Sequence, residues 1–161
     1  ISDFGLAEQI DIKRKEAKAY IEQYLDTYSG IKNFMNDIVE HAKEKGYVET
    51  EFGRRRYIPE LSSNNYMVRQ FGQRAAMNTP IQGTAADIMK IAMINVYNRL
   101  EKEKLNAKIV LQVHDELIVE CKIEEKEKVK TILSEEMENA MKLNVPLKVE
   151  ASEAENWYQA K

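Results

Sequence analysis

The chain has one cysteine in 161 residues, Cys121, so no internal disulfide is available and a reducing compartment is expected. No stretch approaches the roughly 18 apolar residues of a membrane span. The opening ISDFGLAEQ has neither the basic region nor the apolar core of an export signal, and it has no initiator methionine. The expectation is a chain cut at its N-terminus, by nature or by design. Internal repeats and low-complexity linkers are also missing. What remains is the composition of a soluble globular protein, 43% hydrophobic and 32% charged, with enough length for one ordinary core or parts of two.

The net charge of −3 conceals an asymmetry. Residues 1–53 carry −4, residues 54–100 carry +5 and residues 101–161 carry −4. Six of the seven arginines lie in the middle block. Arginine there, where lysine serves elsewhere, suggests directed contacts to phosphates or base edges, because guanidinium is a planar fork of donors. An acidic whole therefore does not exclude a nucleic-acid partner.

Periodicity predicts a short helical turn over 4–10 and a helix over 13–28 with Ala17, Tyr20, Ile21, Tyr24, Leu25 and Tyr28 on one face, ended by Ser29-Gly30. A second helix is expected from about Ile31 to Lys45, stopped by Gly46, with His41 as a helix histidine of no assigned function. Residues 47–50 and 55–58 read as a small hairpin around Glu51-Phe52-Gly53, closed by Pro59. A long helix should start near Asn65 with Val68, Phe71, Ala75 and Ala76 on its apolar side. Pro80 should kink or interrupt it and push Thr79 toward extended geometry. Thr84–Leu100 then continues as helix, with Ala85 and Ala86 small enough for close packing. An amphipathic helix over 124–141, a last strand over 147–151 and a tail packed by Asn156-Trp157-Tyr158 complete the chain. Met89, Met93 and Met137 read as core filler.

Three groups of residues carry chemistry. The first lies between two β-rich arms, Ile109–Val113 and Leu117–Cys121, which flank His114-Asp115-Glu116. A tight hairpin turn prefers glycine or asparagine, and this one offers an imidazole and two adjacent carboxylates. A solvated acidic turn and a tip that holds a cation both fit. Mg²⁺ takes one or two carboxylates with water and substrate phosphates, and two-metal phosphoryl transfer needs a second carboxylate. No second strand-borne aspartate is present: Asp26 and Asp87 fall on helices. The second group is Arg74, Asn78 and Gln82, at i, i+4 and i+8, in a row of about 12 Å at 1.5 Å per residue. Such donors could read the acceptors that every base pair presents in the minor groove, or form a polar helix face. The third is Arg54-Arg55-Arg56, either a charged anti-aggregation edge or a phosphate-contacting one.

These segments resemble a known family. Gln112-Val113-His114-Asp115-Glu116-Leu117 resembles the QVHDEL motif of family A DNA polymerases, the bacterial DNA polymerase I type. The stretch from Arg74 to Asp87 resembles that family's RAAxNxPxQGTAAD motif, and Gly53–Pro59 resembles its GRRRYxP segment. Ser2–Ala7 resembles the tail of its fingers motif, and Asn156–Lys161 the family's ending. The resemblance runs through the whole chain in order.

It implies an α+β fold: a helix-rich remnant of the fingers over 1–62, then an incomplete palm over 63–161 whose small antiparallel sheet carries the His-Asp-Glu hairpin. Asp115 would be one of two metal-binding catalytic aspartates, with Glu116 beside it supporting the site. His114 and Gln112 would contact the primer terminus, Arg74, Asn78 and Gln82 the minor groove of the primer-template, and Arg54, Arg55 and Arg56 the DNA backbone. Mg²⁺, primer-template DNA and deoxynucleotides are the implied cofactor and partners, in a bacterial cytoplasm at the nucleoid, with no membrane. The family's other catalytic aspartate sits on a palm strand upstream of residue 1, as does the nucleotide-binding fingers helix. The piece alone is therefore expected to be inactive, and the missing strand to leave a sheet edge open to self-association. A noncatalytic duplex-binding module, or a structural remnant, are the competing expectations.

Overall fold

The computed structural model describes residues 2–160. Ile1 and Lys161, the last residue of the tail segment singled out above, lie outside it. The element order is α1 (Asp3–Ile10), α2 (Arg14–Thr27), α3 (Ser29–Lys45), β1 (Tyr47–Glu49), β2 (Arg55–Tyr57), a 3-10 turn (Pro59–Ser62), α4 (Tyr66–Lys102), β3 (Ala107–Val113), β4 (Glu116–Cys121), a second 3-10 turn (Ile123–Glu125), α5 (Lys126–Glu138) and α6 (Trp157–Ala160). Helices with two small antiparallel sheets make this an α+β chain. The backbone separates into two compact units. One takes the chain up to Glu49 together with Gly53–Pro80; the other takes Thr50–Phe52 and the chain from Ile81 on.

In the first unit, Ser2 caps α1 by accepting from the Gly5 amide at 3.1 Å, and Asp3 pairs with Arg14 of α2 at 2.7 Å. Helix α2 buries Ala17 and half-buries Ile21 and Leu25, while Tyr20, Tyr24 and Tyr28 on the same stripe stay exposed. Ser29-Gly30 does not stop this helix. The break falls at Tyr28, whose φ of −107° and ψ of 62° lie outside the helical region, and Ser29 already opens α3. Gly46 does end α3, in the left-handed conformation at φ 81° that glycine adopts without a Cβ clash. Ala42, Val48, Ile58, Leu61 and Ala76 form the core of this unit. Gly72 lets α4 approach the 3-10 turn, because a Cβ there would stand 3.1 Å from the Leu61 amide nitrogen.

Asn65 starts α4: its side-chain oxygen accepts from the Met67 amide at 2.9 Å. Helix α4 then runs 37 residues with Pro80 inside it. Thr79 is helical, so the expected extended geometry before proline is not adopted. Proline removes one i→i−4 donor, and the residues on each side of it keep helical backbone; Ala76 is buried in its own unit before it, and Met89, Ala92, Val96 and Leu100 in theirs after it. Val68 and Phe71, placed on the apolar side by periodicity, are exposed, as are Ala85 and Ala86.

In the second unit, Val96 and Leu100 of α4 pack with Val129 and Ile132 of α5. Ala107 and Ile109 of β3 and Leu117, Val119 and Cys121 of β4 close over them. Helix α5 is shorter than its apolar pattern at both ends: a 3-10 turn takes residues 123–125, and the helix stops at Glu138. Charged residues around its start are engaged: Glu125 accepts from the Asn106 amide at 2.9 Å, and Lys128, inside the helix, pairs with Glu103 at 2.8 Å. Residues 147–151 form no strand. Leu147, Val149 and Ala151 do alternate inward, but the Val149 amide donates to the Glu138 carboxylate at 3.0 Å in place of a ladder partner.

Candidate nucleic-acid interface and metal-binding tip

The β3–β4 hairpin is tighter than its sequence suggests. Val113 pairs with Glu116, leaving His114 and Asp115 alone as the turn. Two-residue turns need a positive φ to match the twist of their strands. Here His114 supplies it at φ 50°, a conformation that disfavours residues bearing a Cβ by about 1–2 kcal/mol. The Gln112 amide braces the turn by donating to the His114 carbonyl at 3.0 Å. A one-residue bulge at Val110 separates the pairs Ile109↔Val119 and Leu111↔Ile118. The core-facing side chains thus lie at the base of the hairpin and the polar ones at its end.

Gln112, His114, Asp115 and Glu116 are all exposed at that end. Neither carboxylate has a hydrogen bond or ion pair with another described residue. Free, hard oxygen donors on a fixed turn suit a divalent cation such as Mg²⁺, which is commonly held through one or two carboxylates and completed by water and phosphate. Among the described residues no group of three or more His, Cys, Asp or Glu converges as a complete metal cage. The donor set fits a cation shared with a second carboxylate and a substrate.

Arg74, Asn78 and Gln82 are exposed on α4, the first two before Pro80 and Gln82 after it. None of the three is engaged by another described side chain, so their donors face solvent. The three consecutive arginines are arranged differently. Arg55 pairs with Glu49 at 3.2 Å and lies 4.4 Å from the centroid of the Tyr47 ring. The Glu49 carboxylate, first among several neighbours, raises its already high pKa. Arg56 donates to the Thr79 hydroxyl at 3.2 Å, which sets a guanidinium one residue from Asn78.

Sequence reasoning missed what anchors the β1–β2 turn. Thr50 donates to Asp87 at 2.8 Å, and both are buried. The Glu51 amide donates to the Thr84 hydroxyl at 3.1 Å, and the Phe52 amide to the Thr50 hydroxyl at 3.3 Å. A signal was available: Asp87 is an acid in the cationic block, one helical turn after a threonine. Cys121 is half-buried, and burial, with Glu125 and Glu153 nearby, pushes its thiol pKa up. It packs against the core of its unit.

Comparison with known proteins decides the family. The sequence profile of DNA polymerase family A matches residues 1–159. The chain belongs to DNA polymerase family A. It is 52% identical over its whole length to DNA polymerase I of Bacillus caldotenax and of Bacillus subtilis, and it spans 18% of the length of each. Among solved structures it is similar to the POL domain of Pol1 from M. smegmatis in complex with DNA primer-template and dNTP. That match has a TM-score of 0.86 and 47% identity, and it covers 92% of this chain and 26% of that one. Among the described residues no helix is long and apolar enough to cross a membrane.

Proposed function

We propose that these residues are the part of a template-directed DNA polymerase that grips the primer-template duplex and presents one of its metal-binding carboxylates. The observation that carries the reading is the likeness, through most of this chain, to a polymerase domain bound to primer-template and dNTP. The exposed, unengaged donors of Arg74, Asn78 and Gln82 agree with it. In this reading residues 1–62 belong to the fingers and 63–161 to the palm.

The row on α4 holds the duplex by donating to minor-groove acceptors common to all base pairs, so it senses duplex shape and not sequence. Arg54, Arg55 and Arg56 approach the phosphates. His114 and Gln112 position the primer end, with Gln112 also fixing the turn that carries His114. Asp115 would hold Mg²⁺, with Glu116 beside it supporting the site. A bound metal would supply charge stabilisation for attack of the primer 3′ hydroxyl and for the pyrophosphate that leaves. Asp115 is the one aspartate at a hairpin tip among the described residues, and Asp26 and Asp87 lie on helices, so the chain by itself binds DNA without extending it. The setting is the bacterial cytoplasm, at the nucleoid. The unpaired outer edges of β3 and β4 would also favour self-association in isolation.

Fluorescence anisotropy with a labelled primer-template at two salt concentrations tests this reading. Salt-sensitive binding, weakened about tenfold in Arg74→Ala, is the expected result. Absence of binding would leave a structural remnant, and measurable primer extension by the pure chain would overturn the claim of inactivity.

A further inference from the structure

Hairpin β1–β2 has two faces of opposite character. On one, Val48 is buried in the core and its cross-strand partner Arg56 reaches Thr79. The other is aromatic and cationic. Tyr47 and Tyr57 are direct cross-strand partners, with ring centroids 5.7 Å apart in an edge-to-face arrangement. The Arg55 guanidinium covers Tyr47 at 4.4 Å and is itself held by Glu49. His41 of α3 meets Tyr47 edge-on, with centroids 6.4 Å apart. Tyr47 is thus enclosed by three neighbours, whereas Tyr57 is 69% exposed.

An aromatic ring held at its edge by a covered partner, open on the outside, and following three arginines in sequence has the makings of a base-stacking platform. Stacking on an aromatic face is tolerant of sequence, because every base has a π-face. Duplex interiors do not offer such a face, since their bases are already stacked; an unpaired base does. Charge alone would not recruit it, because Glu49 and Glu51 offset part of the arginine charge on this hairpin. The ring supplies the attraction that the charge does not. We propose that Tyr57 stacks an unpaired base of a nucleic-acid strand continuing beyond the duplex, with Tyr47, Arg55 and His41 fixing its ring. The inference rests on the duplex-gripping reading above and adds a single-strand subsite to it.

The test uses three labelled DNAs: a blunt duplex, the same duplex with a short unpaired extension, and one whose extension is abasic. Each is titrated into the wild-type chain, Tyr57→Ala and Tyr57→Phe, after circular dichroism shows that the variants are folded. The expected result is an extension that tightens wild-type binding by about tenfold, with the gain lost in the abasic DNA and in Tyr57→Ala but kept in Tyr57→Phe. Blunt-duplex affinity should be equal in all three proteins. An equal gain from the abasic extension, or a full gain in Tyr57→Ala, overturns the proposal. If no protein binds the blunt duplex, the duplex reading fails separately, and a free single strand then decides: binding that Tyr57→Ala weakens supports the platform, and binding it leaves unchanged, or no binding at all, removes it. A Tyr57→Ala change that alters sedimentation while sparing every DNA affinity would assign the ring to a contact between copies and also overturn the proposal.

Discussion

The two hairpins solve the same problem in opposite ways. The β1–β2 turn is tied down: Thr50 and Glu51 are hydrogen-bonded to Asp87 and Thr84 of α4, and Gly53 takes the left-handed backbone at φ 76°. Its strands expose Arg55 and Tyr57, and its turn still exposes Glu51, Phe52 and Arg54. The β3–β4 turn has no side-chain tie to a helix among the described residues: it carries its polar groups at the very end, places a histidine in the left-handed region, and is braced by one side-chain amide. A tie to a helix fixes a turn's backbone and engages its buried hydroxyl, whereas at the untied tip both carboxylates stay unengaged by other described residues. The two hairpins differ in the tie and not in the strand pairing.

The first way to sharpen the comparison is to loosen the core behind each hairpin in turn. Ile58→Ala and Ile132→Ala, at residues 2% and 1% exposed, should each destabilise by about 2–5 kcal/mol. Hydrogen exchange should show the first accelerating amides of β1–β2 and the second those of β3–β4. Uniform acceleration in both variants would mean that the two units unfold as one. Cutting the tie is next: Asp87→Ala leaves the buried Thr50 hydroxyl without its acceptor and should cost about 1–3 kcal/mol in urea unfolding. The free tip should respond with the opposite sign at one position. His114→Gly relieves the left-handed strain but adds freedom to the unfolded chain, for a net gain of about 0.5 kcal/mol. Gln112→Ala should lose a similar amount. A loss in His114→Gly would show that the imidazole itself holds the turn.

The smallest effect is a pH dependence in the second unit. Lys128, first, and Arg99 hold the Glu103 carboxyl below its ordinary value of 4.5. A depressed carboxylate stabilises the fold above its unfolded pKa, and that contribution is lost as pH falls through the folded value. The Tm should therefore drop below about pH 4.5, and Lys128→Met should flatten that drop. An unchanged acid profile in Lys128→Met would assign the acid sensitivity to other carboxylates, such as Asp3 beside Arg14 in the first unit, whose pKa is also lowered.

Elements with strong local signals were legible in the sequence. The apolar spacing of α5, the Gly46 stop and the alternating arms of β3–β4 each describe their own surroundings. So was the exposure of Arg74, Asn78 and Gln82, because polar residues on the open side of a helix need no distant partner to stay there. What escaped depended on partners distant in sequence. The failure of 147–151 to become a strand follows from a missing ladder partner, not from its alternation. That Thr79 keeps helical backbone before Pro80 also runs against the local rule for a residue preceding proline, which weighs no packing elsewhere in the chain. The Thr50–Asp87 tie spans 37 residues and leaves only a faint trace in composition. The chemical groups at the tip were readable; the number of residues in its turn was not, because that is set by register.

The bulge at Val110 leaves this hairpin one residue to spare. Side chains alternate faces along a strand, and the extra residue of β3 has no partner of its own, so Ile109 and Leu111 oppose the adjacent residues Val119 and Ile118. Loss of the Val110 codon would therefore leave every later pair in place, Leu111 opposite Ile118 and Gln112 opposite Leu117, in a ladder without the bulge's added twist. Loss or gain of a residue beyond the bulge would instead reverse the face of each side chain between it and the turn. Lineages of this chain should therefore vary freely in residue type at Val110 and lose that residue more readily than any other between Ile109 and Asp115.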